Sequence, residues 1–448
     1  MRQMHSSFLL SCFLMLFGFL DTVQAVPGFA RQTGLECMMC HAQNQSKLNS
    51  FGREFARSGY MMSTETGSQS LIKGEEIGLG LPMVLNMSVM LKARFDKGHD
   101  VINGKGRVRQ TIDGEAIDSN RGVGEIFKTS TINIAGRVAD NVGSIIEFRE
   151  KEGKAIFGGK VIASFDTGNS YSGFAVYSTN NYGPFSGMET YNTGLYKPLR
   201  QFENHKLTNA AQASDLGSGA ATGMQVYYAG EKLFATVGAY VPVHNTDGID
   251  IGSSMIPLAR LAYEQPIGDV TLVLGAYGIA GKAKASNTSF DPSLDGFIPR
   301  ALVEIEKEAY GLDLQLEGYL LDMDTLLTIN AVLRNKTTLS DPYLMGDPSI
   351  DVFGEPEDAE SEAFSAALEV YPWPSFGLKV AYLNVDDRGP HILETDKIDV
   401  KDKDALTLGF DYSFRQNVKW TMEYSMVEPN KSGVGTYTDL LGVLTLSF

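Results

Sequence analysis

The most regular feature of the chain is an alternation of apolar and polar residues that begins near residue 79 and continues to the C-terminus. In the stretch 405–414, Leu, Phe or Tyr occupies every even position, and small or polar residues occupy the odd ones. In the stretch 418–426, apolar residues again occupy the even positions, and polar residues occupy the odd ones. A period of two places successive side chains on opposite faces of an extended chain, so the pattern predicts β-strands. Gly, Asn and Asp separate the strands.

The connections between these strands alternate between short and long. Short turns are predicted at 139–142, 166–170, 230–231, 266–268, 309–310, 372–375 and 415–416. Longer connections, such as 181–221 and 323–361, lie between the hairpins, although the apolar stretch 325–333 also fits a strand. Tight turns at one end and long loops at the other are typical of a transmembrane outer-membrane β-barrel. About 16 antiparallel strands are expected, an even number that places both barrel termini in the periplasm.

A large soluble β-sandwich or propeller is the alternative all-β fold, since it also buries one face of each strand. No blade-like repeat is visible in the sequence, which disfavours a propeller. The last strand, 437–448, ends on Phe448 and carries Leu440, Leu444 and Leu446 on the same face. A closing strand with a terminal Phe resembles the end of bacterial outer-membrane barrels, so the barrel is the preferred fold over 76–448.

The first 25 residues have the pattern of an export signal. Arg2 precedes an apolar run from Phe8 to Leu20, and Val23-Gln24-Ala25 forms a small-residue cleavage site. The run is shorter than the roughly 20 residues that a membrane-spanning helix needs, and no later segment reaches that length. The chain has 448 residues and a formal net charge of -16, a charge that disfavours binding to nucleic acid.

Residues 26–75 do not follow the strand pattern. One short helix is predicted after Ser46, with Leu48, Phe51 and Phe55 on a single apolar stripe. A segment of this size with one helix cannot build a core of its own. We therefore expect it to be stabilised by a cofactor, and to dock in the barrel lumen or at its periplasmic mouth.

Both cysteines of the exported chain lie in this segment, in the sequence Cys37-Met-Met-Cys40-His41. Cys-x-x-Cys-His is the attachment pattern for c-type haem: two thiols bond the vinyl groups of one porphyrin, and the adjacent His is the proximal iron ligand. A disulfide or a redox dithiol is the simpler alternative in an oxidising compartment. Zinc requires four ligands, and there is no second Cys pair. Leu48, Phe51 and Phe55 are the predicted haem-packing residues.

The sixth iron ligand is less constrained by the sequence. Met61 and Met62 follow His41 by about 20 residues and are the candidate ligands, since thioether ligation raises the haem potential. Met38 and Met39 are tethered to the proximal side. His99, His205, His244 and His391 all fall in predicted outer loops, so ligation by two histidines would require a loop that folds into the lumen.

The region 27–60 resembles the N-terminus of the fused cytochrome–porins of iron-oxidising bacteria. The matching positions are Phe29 to Gly34, Cys37, Cys40, His41, Leu48-Asn49, Phe51 to Arg53, Phe55 and Gly59-Tyr60. Ser46-Lys47 stands where members commonly carry Pro. The resemblance implies one covalent haem c, an outer-membrane barrel, and an oxidoreductase activity in which extracellular Fe(II) gives an electron that passes to a periplasmic cytochrome.

An acidic stretch fits this role. Residues 346–362 carry seven acidic side chains and no basic one, and such a loop can concentrate Fe(II) at the outer mouth. Its candidate residues are Asp351, Glu355, Glu357, Asp358 and Glu360. A solvated loop, or divalent-cation bridging to surface lipid, explains the same composition. Two other functions remain open: a haem-bearing electron conduit or reductase for another external partner, and a diffusion porin with a haem-containing plug.

Overall fold

The computed structural model describes residues 27–42, 46–62, 71–72, 81–82, 86–99, 109–110, 116–117, 123–127, 130–151, 154–242, 254–286, 302–337, 360–388, 402–415, 417–430 and 436–448. The predicted signal peptide, 1–25, lies outside the described residues.

Long antiparallel strands make up most of the described chain. In chain order they are β1 Met87–His99, β2 Val123–Ile126, β3 Thr131–Ala139, β4 Val142–Lys151, β5 Lys154–Asp166, β6 Ser170–Thr179, β7 Ala221–Gly230, β8 Leu233–Val241, β9 Ile256–Ile267, β10 Val270–Ser286, β11 Leu302–Leu320, β12 Met323–Thr337, β13 Ser361–Trp373, β14 Phe376–Asp387, β15 Lys403–Arg415, β16 Val418–Pro429 and β17 Tyr437–Ser447. Two pairs of two-residue strands, Leu71–Ile72 with Leu81–Pro82 and Arg109–Gln110 with Ala116–Ile117, lie outside this sheet.

The strands form one closed barrel. Each strand from β3 to β16 pairs with the next one along the chain. Strand β17 pairs with β1, with Thr438 opposite His99 and Ser447 opposite Met90. The short β2 and the longer β3 both pair with β1, end to end along its length. They occupy one position of the barrel, which therefore has 16 strand positions. The predicted all-β barrel of about 16 antiparallel strands is confirmed.

The polarity of the barrel is the reverse of that of a soluble protein. The lumen-facing positions are polar and buried, among them Gln225, Arg260, Asp313, Gln315, Asn330, Lys379, Asp411 and Glu423. The outer face exposes large apolar residues, among them Phe174, Val226, Val237, Leu261, Leu274, Leu312 and Leu408. Exposed aromatic residues near the short turns include Tyr319, Trp373 and Trp420. An apolar belt with an aromatic girdle is the surface that a lipid bilayer covers.

A charge on this belt should destabilise the barrel according to its depth. Leu274 is 49% exposed and lies several residues from the nearest short turn, whereas Ile267 is 54% exposed and adjoins that turn. We expect Leu274→Arg to cost about 2–4 kcal/mol and Ile267→Arg about 0–1 kcal/mol, because lipid depth sets the penalty. Urea unfolding of each variant in vesicles measures the difference. Equal losses would show that this face does not meet lipid.

Six of the seven predicted short turns are confirmed, and the seventh is wrong. The chain does not turn at 309–310, because β11 runs without interruption from Leu302 to Leu320 and the turn comes at 321–322. Gly311 directly follows the predicted turn, but it lies within the strand. A Cβ at this position would lie 2.2 Å from the ring of Tyr277 on the neighbouring strand, so glycine leaves room for that ring. Residues 325–333 accordingly form part of strand β12.

The helices lie inside the barrel. They are α1 Pro27–Thr33, α2 Ser50–Arg57 and the short α3 Ala210–Ala213, with 3-10 turns at Cys37–Met39, Pro184–Ser186 and His205–Leu207. Asn49 caps α2 by accepting a hydrogen bond from the amide of Gly52 at 2.9 Å. Among the described residues, no helix has the length and apolarity needed to cross a membrane.

Residues 27–42 and 46–62, here called the plug, are held in the lumen by buried ion pairs. Arg53 contacts Glu317, and both Arg53 and Arg57 contact Glu264. Lys47 lies 3.9 Å from Asp324. Glu264, Glu317 and Asp324 all lie near the short turns, so the plug occupies the end of the lumen where the first and last strands begin and end.

A second segment, 180–220, also folds into the lumen; we call it the inward segment. The predicted long connection at 181–221 is confirmed, because β6 ends at Thr179 and β7 begins at Ala221, but the connection enters the lumen instead of extending outward. Its apolar side chains Phe185, Leu195, Leu207 and Leu216 are buried in a cluster with wall residues. The fold of this segment is fixed by polar contacts as well, since Asn330 Nδ2 donates to the Thr193 carbonyl at 2.9 Å. The apolar and aromatic side chains of this segment have a lower free energy when they are buried in the lumen than when they are exposed to water.

Candidate cofactor site in the barrel lumen

A cavity of about 340 Å³ lies in the lumen, within the range of about 300–1,000 Å³ typical of ligand sites. Three parts of the chain form its walls: the plug, the strands β1, β3 to β6, β16 and β17, and the inward segment. Cys37, Cys40 and His41 all line it. The three residues of the predicted haem motif therefore face one enclosed space inside the barrel.

The motif is shaped by the helix that follows it. Cys37–Met39 form a 3-10 turn, and the amide of His41 donates to the Cys37 carbonyl at 3.0 Å. The amide of Asn49 donates to the Cys40 carbonyl at 3.1 Å. Helix α2 approaches so closely that a Cβ on Gly52 would lie 1.9 Å from the Cys40 oxygen. Only glycine permits this contact, which fixes Cys40 and His41 against the helix.

The protonation states of the motif suit a metal ligand better than a redox dithiol. Burial lowers the pKa of His41 to about 4, despite a backbone hydrogen bond at Lys47, so the imidazole is neutral at pH 7. Burial and the neighbouring Cys37 raise the pKa of Cys40 to about 11. Redox-active Cys-x-x-Cys pairs carry a lowered thiol pKa instead. The two cysteines do not form a disulfide with each other.

One buried atom of the motif lacks a partner. Nδ1 of His41 has no hydrogen-bond partner among the described residues, although it is shielded from solvent. A buried imidazole nitrogen without a partner is unfavourable, and coordination of a metal or a hydrogen bond removes that cost. The donor set, the cavity and this orphan nitrogen fit a haem attached at Cys37 and Cys40.

The predicted packing residues are only partly placed at the cavity. Leu48 and Phe55 line it, together with Phe29, Ile145 and Leu199. Phe51 is half-buried and is not among the lining residues. Met61 and Met62, the predicted candidates for the sixth ligand, are half-buried and also lie away from the lining. The structure thus brings Leu48 and Phe55 together with the motif and leaves Phe51, Met61 and Met62 outside it.

The opposite wall of the cavity is rich in positive charge. Seven cationic side chains line it against four carboxylates, in a chain whose formal net charge is -16. The cations are Lys92, Arg94, Arg149, Lys160, Lys197, Arg200 and Lys419, and the carboxylates are Glu36, Glu147, Glu189 and Glu203. The two propionates of a haem are anions, so this wall offers the charge that they would pair with.

Lys160 is a buried cation of this wall that lies against two aromatic rings. Its ammonium lies 4.6 Å from the ring centroid of Tyr196 and 5.7 Å from that of Tyr60, and no ion pair of it is formed within that part. It is 5% exposed. Two aromatic faces stabilise the charged form of this amine, and an anion in the cavity would stabilise it further.

Glu203 and Lys92 join the inward segment to the wall. Lys92 Nζ donates to both Glu203 oxygens at 3.0 Å. Burial would raise the pKa of Glu203, but Arg200, Lys92 and Lys419 hold it well below its usual value. Burial, with Arg200 and Lys197, lowers the pKa of the adjacent His205 well below its usual value. His205 lies in the predicted long connection and lines the cavity as a neutral imidazole, because this connection folds into the lumen.

Sequence reasoning missed most of the cationic wall, and it named His205 only as a ligand that would require a loop to fold into the lumen. One signal for Lys92, Arg94 and Lys160 was available, because a charge inside a membrane-spanning strand must face the lumen. For His205 the signal was the length of the 181–221 connection, since a loop this long usually has a function of its own. The contacts of His205 could not be predicted from the sequence, because they depend on which strands surround it in the barrel.

The acidic stretch is mostly beyond the described chain. Asp351, Glu355, Glu357 and Asp358 lie outside the described residues, and Glu360 is exposed at the start of β13. Within the described ranges, no group of three or more His, Cys, Asp and Glu side chains is arranged to hold a metal ion. The candidate Fe(II)-attracting role of this stretch stays a prediction.

Comparison with known proteins gives only distant structural matches. No family model matches the chain, and no curated protein matches it. Among solved structures, OmpT of Vibrio cholerae, folded in vitro, is 12% identical, with a TM-score of 0.45 over 82% of this chain and 99% of that one. OmpF of Salmonella typhi in complex with daunomycin is 11% identical, with a TM-score of 0.45 over 81% and 97%. An anion-selective porin from Comamonas acidovorans is 11% identical, with a TM-score of 0.44 over 82% and 99%.

Proposed function

We propose that this protein is an outer-membrane cytochrome that carries one covalent c-type haem in its lumen and moves electrons inward from extracellular Fe(II). Each turnover removes one electron from Fe(II), giving Fe(III), and delivers it to an oxidised periplasmic cytochrome. The chain would be an iron-oxidising oxidoreductase. One observation carries the proposal: Cys37, Cys40 and His41 line one cavity inside a closed barrel.

The chain's own residues have separate tasks in this proposal. Cys37 and Cys40 would hold the porphyrin through thioethers, and His41 would ligate its iron. The haem supplies reversible one-electron chemistry, which no amino-acid side chain supplies at a comparable potential. Leu48 and Phe55 exclude water from one side of the cavity, while the cationic wall stabilises the propionates.

The barrel explains why such a site would lie in the lumen. Its apolar belt and aromatic girdle suit a lipid bilayer, and closed barrels with this polarity occupy the bacterial outer membrane. A bilayer is an insulator, and a haem within the barrel shortens the distance that an electron must cross. Oxidation from the outer side also keeps poorly soluble Fe(III) away from the periplasm.

The direct test is reduction of the purified protein by Fe(II). We expect dithionite and Fe(II) near neutral pH to give the same α-band in a reduced-minus-oxidised spectrum of the detergent-extracted protein. Fe(II) should reduce most of the haem that dithionite reduces. If dithionite reduces the haem and excess Fe(II) leaves it oxidised, Fe(II) is not the donor.

Two controls separate the related functions. A Met39→Ala variant changes an exposed residue of the same loop and should retain the Fe(II)-dependent spectrum. The midpoint potential separates an inward from an outward flow. A strongly negative potential would favour a conduit or reductase that serves an external acceptor.

A diffusion porin with a haem-bearing plug is the second candidate. The cationic wall favours it, since a ring of cations in a lumen attracts anionic solutes. Planar-bilayer recordings distinguish the two. A large anion-selective conductance that is unchanged by the redox state would support the porin, whereas a low conductance with Fe(II)-reducible haem would support the cytochrome.

A further inference from the structure

The inward segment is built to hold a fixed position beside the cavity. The amide of Ala210 donates to Ser365 Oγ at 2.9 Å, and Gln212 Nε2 donates to the Gly217 carbonyl at 2.6 Å. Leu207 and Leu216 are buried in the apolar cluster shared with the barrel wall. A loop fixed by this many buried contacts presents its side chains in one arrangement.

The residues around His205 are the most firmly attached part of this segment. The amides of Glu203 and Asn204 donate to the two carboxylate oxygens of Glu423 at 2.7 Å and 2.9 Å. Asn204 Nδ2 donates to Asp439 at 2.9 Å. These bonds join the segment to strands β16 and β17 immediately before His205. His205 begins a 3-10 turn directly after these wall contacts and lines the cavity.

The imidazole of His205 faces the cavity without a protein partner. Neither of its ring nitrogens hydrogen-bonds to any residue in the described ranges, and the ring lines the same space as His41. The two histidines come from different elements, the plug and the inward segment. An imidazole that lines this cavity opposite the motif can ligate haem iron.

The competing ligands are fewer than the sequence suggests. Met61 and Met62 do not line the cavity, whereas Met90 of β1 does. Met90 belongs to strand β1, and its backbone pairs with Ser447 of β17 and with Thr131 of β3. His205 lies on a segment that enters the lumen and takes no part in the ladder, and hydrogen bonds to the wall hold the backbone directly before it in place.

Resting on the proposed function, we infer that His205 is the second axial ligand of the haem, opposite His41. The haem would then have two histidine ligands, and the loop that carries His205 would approach it from the outer side. Thioether ligation would give a higher potential than a second imidazole. The adjacent cations Lys92, Lys197 and Arg200 would partly offset this lower potential, because positive charge favours the reduced iron.

The test is the spin state of the haem in full-length protein. Wild type should be six-coordinate and low-spin by absorption and electron paramagnetic resonance, and its ferrous form should bind CO slowly. We expect His205→Ala to become high-spin when ferric and to bind CO rapidly when ferrous. His205→Met should remain six-coordinate and show an upward shift in midpoint potential.

Matched variants decide between the ligands. Met90→Leu and the double variant M61L/M62L should keep the wild-type spectra, and heat-modifiable migration should confirm that every variant folds. An unchanged low-spin spectrum in His205→Ala, or loss of that spectrum in Met90→Leu or M61L/M62L, would overturn the assignment of His205. Absence of covalent haem from wild type would overturn the proposed function as well, so the two failures are distinguishable.

Discussion

Replacing both Cys37 and Cys40 by alanine should abolish covalent haem and every Fe(II)-dependent spectral change while the barrel still folds. Both thiols line the lumen cavity and neither contributes a disulfide to the fold. The strands close through their own ladder from β1 to β17, which does not involve the plug. Haem-stained denaturing gels measure covalent attachment, and heat-modifiable migration measures barrel folding.

The loop itself supplies the matched control. Met38→Ala and Met39→Ala change residues between the two cysteines and should retain haem staining at the wild-type level. A single Cys37→Ala variant should retain at most one thioether and show a shifted α-band. Covalent haem in the double variant would contradict the assignment, because the exported chain has no other cysteine.

The barrel was predictable from the sequence because lipid imposes a strict alternation. A charge on the outer face is costly, so residues such as Asp411 and Glu423 mark the lumen side of their strands without knowledge of their partners. The turn at 309–310 was mispredicted for a physical reason. Gly311 leaves room for the ring of Tyr277, and a contact across two strands has no local signature in the sequence.

The motif half of the site was predictable, and the other half was not. Cys37, Cys40 and His41 are adjacent in sequence, so their shared chemistry is visible without a fold. His205 is separated from His41 by much of the chain, and it reaches the cavity only because the inward segment buries Leu207 and Leu216. A polar loop of the same length would have stayed in water, so burial of a few leucines decides which histidine is near the site.

The docking of the plug also depends on contacts that sequence does not reveal. Arg53 and Arg57 lie on α2, one turn apart, and both reach Glu264 of β9. Tyr191 of the inward segment also donates to Glu264. One carboxylate thereby joins the plug, the inward segment and the wall. The plug and the inward segment both line the cofactor cavity and share this junction, which links the stability of the plug to the geometry of the site.

Glu264→Ala should release the plug from the wall more than any other single change. Glu264 is 8% exposed, and Arg57 has no other carboxylate partner among the described residues. Removing one partner of a buried ion pair costs about 3–5 kcal/mol, because the remaining charge is left unpaired and dehydrated. Arg53 keeps Glu317, so we expect local release of α2 and retention of the barrel. Limited proteolysis within 27–62 measures the release.

The charge itself can be tested separately from the side-chain volume. Glu264→Gln keeps the shape and should be intermediate, while R57A/E264A should cost less than the sum of its single variants, because neither leaves its partner buried alone. Glu231→Ala, at an exposed short turn of the same barrel, should leave protease resistance unchanged. If Glu264→Ala resists proteolysis as wild type does, the plug is held by its apolar contacts, Phe29, Phe55 and Tyr60 first among them, and the ion pairs only set its register.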